Sequence, residues 1–204
     1  MDYYNEKQEI VNFAKVMFTR KLTNTTGANI SLKVCDDIFL FTPSMMSMNK
    51  LFEISPDEIL TTNSNGDILS GKGSLTKEFS LHMAIYNSRK NCNSVVHAHP
   101  RDCIVFAALN SEIPNVTEAT QKLGTIETLE FAPAGSTKLV DNLTRYISEN
   151  PTKFPLVVLL SKHGIIAADI SLARAYDLIE RVEYDAHIVL NTPLVKFSVL
   201  KNHS

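Results

Sequence analysis

The chain has 204 residues, 44% of them hydrophobic and 21% charged, with a formal net charge of −2. That length suffices for a single domain over 1–204, and the charge balance excludes a basic nucleic-acid face or a Lys/Arg-rich membrane patch. No apolar run nears the ~20 residues that span a bilayer, residues 1–20 carry acids and lack a secretory apolar block, and three cysteines without a C-x-x-C pair (Cys35, Cys92, Cys103) fit a reducing, cytoplasmic setting.

Ile10, Phe13, Ala14, Met17 and Phe18 recur at helical spacing and predict a helix over 3–21. Thr23-Asn24-Thr25-Thr26-Gly27 is a turn. Strands are predicted over 29–33 and 38–42; Pro43 ends the second, and 44–50 reads as a Met-rich loop. A strand pair over 51–54 and 59–62 precedes a turn at Asn65-Gly66-Asp67. After a loop over 72–75, Thr76 is the predicted N-cap of a helix running to Arg89, with Phe79, Met83 and Tyr86 on one side. Then come a strand around His97, a short helix over 102–109, an extended segment over 126–132, a loop over 133–136 and a helix over 138–148. A strand over 156–160, a hairpin-like strand over 165–168 and a helix over 172–190 finish the core. Short strands framed by helices predict a three-layer α/β/α domain with a mixed, largely antiparallel sheet.

Val95-Val96-His97-Ala98-His99-Pro100 reads as a buried strand carrying two imidazoles. Strand side chains alternate with period two, so His97 and His99 share a face. Two neutral imidazoles side by side suit a divalent metal, zinc being the commonest candidate. The apolar run 156–160 leads into Ser161-Lys162-His163-Gly164, which sets a third imidazole at a strand end. The glycine would let the backbone turn tightly there. With Glu78 upstream, three histidines and a carboxylate describe a catalytic metal site with an open position.

Glu78 has two readings: a carboxylate complementing a helix dipole, or a general base beside a Lewis acid. Thr76 and Lys77 also have two. They are either solvated surface or an anion site at a helix start, where free N–H groups attract phosphate. Asn29 and Ser44, at strand edges, would close such a pocket. His82 lies among apolar helix neighbours and reads as a packed, hydrogen-bonded histidine. His187 reads similarly, and His203 is in the tail.

Taken in order, Thr26-Gly27-Ala28-Asn29-Ile30-Ser31, Thr42-Pro43-Ser44, Leu75-Thr76-Lys77-Glu78, Val96-His97-Ala98-His99 and Lys162-His163-Gly164 resemble the class II aldolase/adducin family over nearly the whole chain. The likeness is strongest to its fuculose-phosphate aldolase and ribulose-phosphate epimerase group. No single motif is specific, but the ordered set is. The resemblance implies one Zn2+ per subunit held by His97, His99 and His163. It implies Glu78 as the acid/base, able to ligate the metal when substrate is absent. Phosphate would be held by Asn29, Ser44, Thr76 and Lys77, and the chain would form homotetramers with the site near a subunit interface. The implied activity is a zinc-dependent lyase releasing dihydroxyacetone phosphate and an aldehyde from a small sugar phosphate.

The chain departs from that pattern at Ala28 and Met45, where glycine is usual, and at Thr76-Lys77, where two serines are usual. The Lys-Glu pair resembles the 3-oxo-tetronate 4-phosphate decarboxylase branch, which stands as the alternative. A ribulose-5-phosphate 4-epimerase is disfavoured because no His-Ala-Asp motif follows His99. A non-enzymatic, adducin-like module is disfavoured because all three histidines are kept. Lys77 and Glu118 are candidates for a second acid.

Overall fold

A computed structural model of the chain describes residues 2–201, and the side-chain surroundings of residues 2–193. The His203 tail lies outside the described residues. Eight strands form one sheet: β1 (Asn29–Cys35), β2 (Ile38–Phe41), β3 (Leu60–Thr62), β4 (Ile68–Ser70), β5 (Ser94–Ala98), β6 (Thr128–Leu129), β7 (Leu156–Leu160) and β8 (Gly164–Asp169). Their order is β4-β3-β2-β1-β5-β8-β7-β6. Every neighbouring pair is antiparallel except β6 with β7. The helices are α1 (Tyr4–Thr19), α2 (Met46–Lys50), α3 (Phe79–Ser88), α4 (Arg101–Ala108), α5 (Thr137–Glu149) and α6 (Leu172–Lys201).

Strand alternation divides the sheet into two faces, each with its own core. Val96, Val157, Leu159 and Ile165 meet α1, α4 and α6 on one side. Val95, Leu156, Val158 and Ile166 meet α3 and α5 on the other. The three-layer α/β/α expectation holds, and so does the mixed, largely antiparallel sheet. The central strands are buried on both faces, which explains their near-continuous apolar runs.

Several local expectations are corrected. The segment 51–54 is not a strand. Residues 46–50 coil into α2, and Leu51 and Phe52 then take left-handed backbone (φ 49° and 66°) that no strand accommodates. Burial decides this: the Phe52 ring is 1% exposed and stacks on Phe18 at 5.1 Å. A 3₁₀ turn, Pro56–Glu58, follows, closed by a Ser55/Glu58 capping box. Helix α3 starts at Phe79, with Glu78 in the N-cap position. Thr76 Oγ1 instead accepts the Glu78 amide across a local turn (3.2 Å). Of 126–132, only Thr128–Leu129 is strand, while Ile126 bridges to Ile113. Helix α6 continues through Pro193 to Lys201 instead of ending near 190.

Candidate metal centre

The centre lies where β1, β5 and β8 meet the N-terminus of α3. Asn29 of β1 pairs with His97 of β5, and His97 pairs with Ile166 of β8. His99 follows β5 directly, and His163 sits in the turn between β7 and β8. One ring nitrogen from each of the three lies within 4.8 Å of the others. The ring centroids are 4.7–5.3 Å apart. Glu78 Oε2 is 3.4 Å from His97 Nε2, and Glu78 Oε1 is 3.3 Å from His163 Nε2. The structure thus brings together His97, His99, His163 and Glu78.

Hydrogen-bond partners assign the tautomers. His97 Nδ1 donates to the Ile165 carbonyl at 2.9 Å, so its Nε2 is bare. Thr26 Oγ1 gives its proton to Asn24 Oδ1 (2.6 Å), so at 2.9 Å it accepts from His99 Nδ1, and His99 Nε2 is bare as well. These two bare nitrogens face each other at 2.9 Å. Lone pairs that close repel unless a cation takes both. Glu78 Oε1 is buried with no hydrogen-bond partner in the protein. A divalent ion fits this donor set: imidazole lone pairs and a free carboxylate oxygen, oriented from behind by a carbonyl and a hydroxyl.

Burial pushes His97 and His99 down to about 3, with the neighbouring imidazoles adding to the effect. Burial does the same to His82. An unfolded histidine takes up its proton near 6.5. Between 6.5 and about 3 the unfolded chain therefore binds more protons than the folded one, and stability falls as pH drops through that window. The metal-free protein is expected to melt at progressively lower temperature below pH 6.5. A Tm that stays flat from pH 7 to pH 4 would contradict the neutral assignment.

Gly164 serves close approach rather than a special turn conformation. A Cβ there would drive into the Ala98 carbonyl oxygen and lie 2.6 Å from His99 Cδ2. The left-handed residue of this turn is Lys162 (φ 58°). Glu183 of α6 accepts the Asp102 and Cys103 amides at 3.0 and 2.9 Å, capping α4 just after His99-Pro100. No short-range pattern announces that cap, because Glu183 comes from a distant helix.

His82 is fully buried. Its Nε2 meets Asn29 Oδ1 at 2.6 Å and its Nδ1 meets Ser31 Oγ at 2.7 Å. Asn29 Nδ2 donates to Glu78 Oε2 at 2.7 Å. Asn29 therefore touches the acid directly and keeps one Nδ2 hydrogen free. Ser44 is half-buried, and its amide donates to the Ser74 carbonyl at 2.8 Å. That bond ties the Ser44 loop to the loop bearing Thr76 and Lys77. Lys77 is exposed. Glu118 is exposed on a 3₁₀ turn. It lines a cavity of about 880 Å³ with Lys122 and Arg174, while a second cavity of about 460 Å³ takes in the His187–Asp102 pair. Neither cavity contains a residue of the metal centre.

Residues 8–190 match the family described as Class II Aldolase and Adducin N-terminal domain. The L-fuculose phosphate aldolase of Methanococcus maripaludis (strain S2) is 28% identical over 88% of this chain and 93% of its own length. The 5-deoxy-D-ribulose 1-phosphate aldolase of Bacillus thuringiensis is 26% identical over 92% and 85%. Among solved structures, an L-fuculose 1-phosphate aldolase superposes with a TM-score of 0.78 at 27% identity, covering 94% of this chain and 86% of that one. The Thermus thermophilus l-fuculose-1-phosphate aldolase shares the fold at a TM-score of 0.75 and 21% identity, covering 96% of each chain. With the family match spanning most of its length and the histidines and acid gathered at the ends of central strands, the chain belongs to the class II aldolase and adducin N-terminal domain family and is an enzyme of the class II aldolase type.

Proposed function

We propose that the chain is a zinc-dependent lyase that cleaves a carbon–carbon bond of a small ketose 1-phosphate, giving dihydroxyacetone phosphate and an aldehyde. The observation that supports it is the bare Nε2 pair of His97 and His99, completed by His163, beside the unpartnered Oε1 of Glu78. Held by His97, His99 and His163, zinc would supply a Lewis acid for the substrate carbonyl. Glu78, buried and fixed at α3's start, moves the proton at the carbon next to that carbonyl. Phosphate is held at the loops of Ser44 and Thr76-Lys77, near the α3 N-terminus and the spare Asn29 Nδ2 hydrogen. The relatives named above as fuculose and 5-deoxyribulose phosphate aldolases support this substrate class.

The same reading carries a homotetramer in the cytoplasm. No helix among the described residues is long and apolar enough to cross a membrane. A decarboxylase acting on a 3-oxo acid phosphate is the second reading. Lys77 favours it, an exposed cation adjoining Glu78 that would pair with a substrate carboxylate.

The test is a coupled assay for dihydroxyacetone phosphate. Zinc-loaded protein receives a panel of ketose 1-phosphates, with a chelator-treated control. Release that needs the metal is the expected result. Release of carbon dioxide from the oxo acid phosphate, with no ketose cleaved, would replace the aldolase reading by the second.

A further inference from the structure

On α3 the polar residues Glu78, His82 and Tyr86 recur every four positions, so they form one stripe. On β1 Asn29 and Ser31 alternate with period two on the face toward α3. The two stripes interlock into a buried chain of hydrogen bonds: Glu78 Oε2–Asn29, 2.7 Å; Asn29–His82, 2.6 Å; His82–Ser31, 2.7 Å; Ser31–Tyr86, 2.7 Å.

Every direction in that chain follows from its carboxylate end. As a carboxylate, Glu78 only accepts, so the Asn29 amide turns its NH2 to Oε2 and its oxygen to His82. His82 Nε2 must then carry hydrogen. A neutral imidazole leaves Nδ1 bare, so Ser31 donates to it, and Tyr86 donates to Ser31. Four groups, Tyr86, Ser31, His82 and Asn29, thus point their donors one way, toward Oε2. Glu78 Oε1 has no such bond and faces His163 Nε2 at 3.3 Å.

We propose that His82, acting through Asn29, is a positioning residue for Glu78: it pins Oε2 as a permanent acceptor and reserves Oε1 as the oxygen that moves the substrate proton. The proposal rests on the lyase reading above for the identity of that proton. His82 itself is not among the three histidines gathered to hold the metal. It is joined to the acid by hydrogen bonds through the Asn29 amide. Without its donor, Asn29 is free to rotate and Glu78 loses the contact that fixes which oxygen faces the substrate. Supporting groups of this kind are worth about 10–100-fold.

The test compares wild type, His82→Phe and His82→Gln, each with measured zinc content and Tm. Dihydroxyacetone phosphate is incubated in D2O with each protein, and exchange of its two hydroxymethyl hydrogens is followed by proton NMR. The wild type is expected to exchange one of the two selectively. His82→Phe is expected to hold zinc normally, to exchange about 10–100-fold more slowly with little change in KM, and to lose selectivity. His82→Gln retains a donor at the Nε2 position and is expected to recover most of both. Independently of substrate, nitrogen-15 NMR of the holo wild type is expected to show His82 as the Nε2–H tautomer.

Wild-type exchange and selectivity in a zinc-loaded His82→Phe would overturn the proposal, as would an Nδ1–H tautomer. That tautomer is read on the wild type, so it decides even where the phenylalanine variant fails to fold. A wild type that shows the Nε2–H tautomer but exchanges no hydrogen supports the network and overturns the lyase reading instead.

Discussion

Glu78→Gln is expected to lower turnover by about 10²–10⁴-fold while zinc content stays at the wild-type level. The substitution keeps shape and volume, and the new amide oxygen still accepts from Asn29 Nδ2, which now donates to Oε2 at 2.7 Å. The imidazoles keep their own supports: the Ile165 carbonyl behind His97 and the Thr26 hydroxyl behind His99. What disappears is the group able to take and return a proton. Steady-state turnover and metal analysis on the same preparation separate these effects. Near-normal turnover removes Glu78 from the chemistry. Loss of metal along with activity makes the acid a ligand first and a base second.

Gly164→Ala is expected to damage both fold and site. The added methyl meets the Ala98 carbonyl oxygen, which belongs to β5, and β5 is locked between β1 and β8. It also lies 2.6 Å from His99 Cδ2 and 3.1 Å from His97 Cε1. Backbone in a central strand cannot give way as a flexible side chain could. Overpacking of this kind costs about 1–3 kcal/mol, enough to lower Tm by several degrees in a domain this size. The displaced imidazoles should also weaken zinc binding by about 10–100-fold. Thermal melts of the metal-free protein and a competition titration with a zinc chelator read the two losses separately. Wild-type values for both would mean that the β5–β8 seam opens more readily than its pairing suggests.

The centre was largely legible in the sequence because its geometry is mostly local. His97 and His99 share a face through strand alternation alone, and His163 stands at the end of an apolar run that could only be an interior strand. The central strands were equally readable, since Val and Ile runs admit few alternatives. Legibility failed where tertiary burial overrides local preference. Phe52 sits on left-handed backbone because its ring fills the core against Phe18, and no pattern in 51–54 signals this. Strand β4 is exposed along its length at the sheet edge, so it shows no alternation to detect. The support behind Glu78 was missed as well. The four-residue spacing of Glu78, His82 and Tyr86 was visible, but its meaning needed Asn29 and Ser31 opposite it, and that pairing exists only once α3 lies on β1.

The order of the strands has a consequence for the life of the protein in a cell. Strands β1 to β4 are chain neighbours, and β7 and β8 form their own hairpin, whereas the contacts of β5 with β1 and β8 join distant stretches of chain. The three imidazoles straddle that join, so the full set assembles only when β5 and β8 pair. A cation that bound the assembled set and not the unfolded chain would add about 2.7 kcal/mol to stability at a free concentration 100 times its Kd. Metal supply would then bear on how many copies survive proteolysis as well as on how many are active.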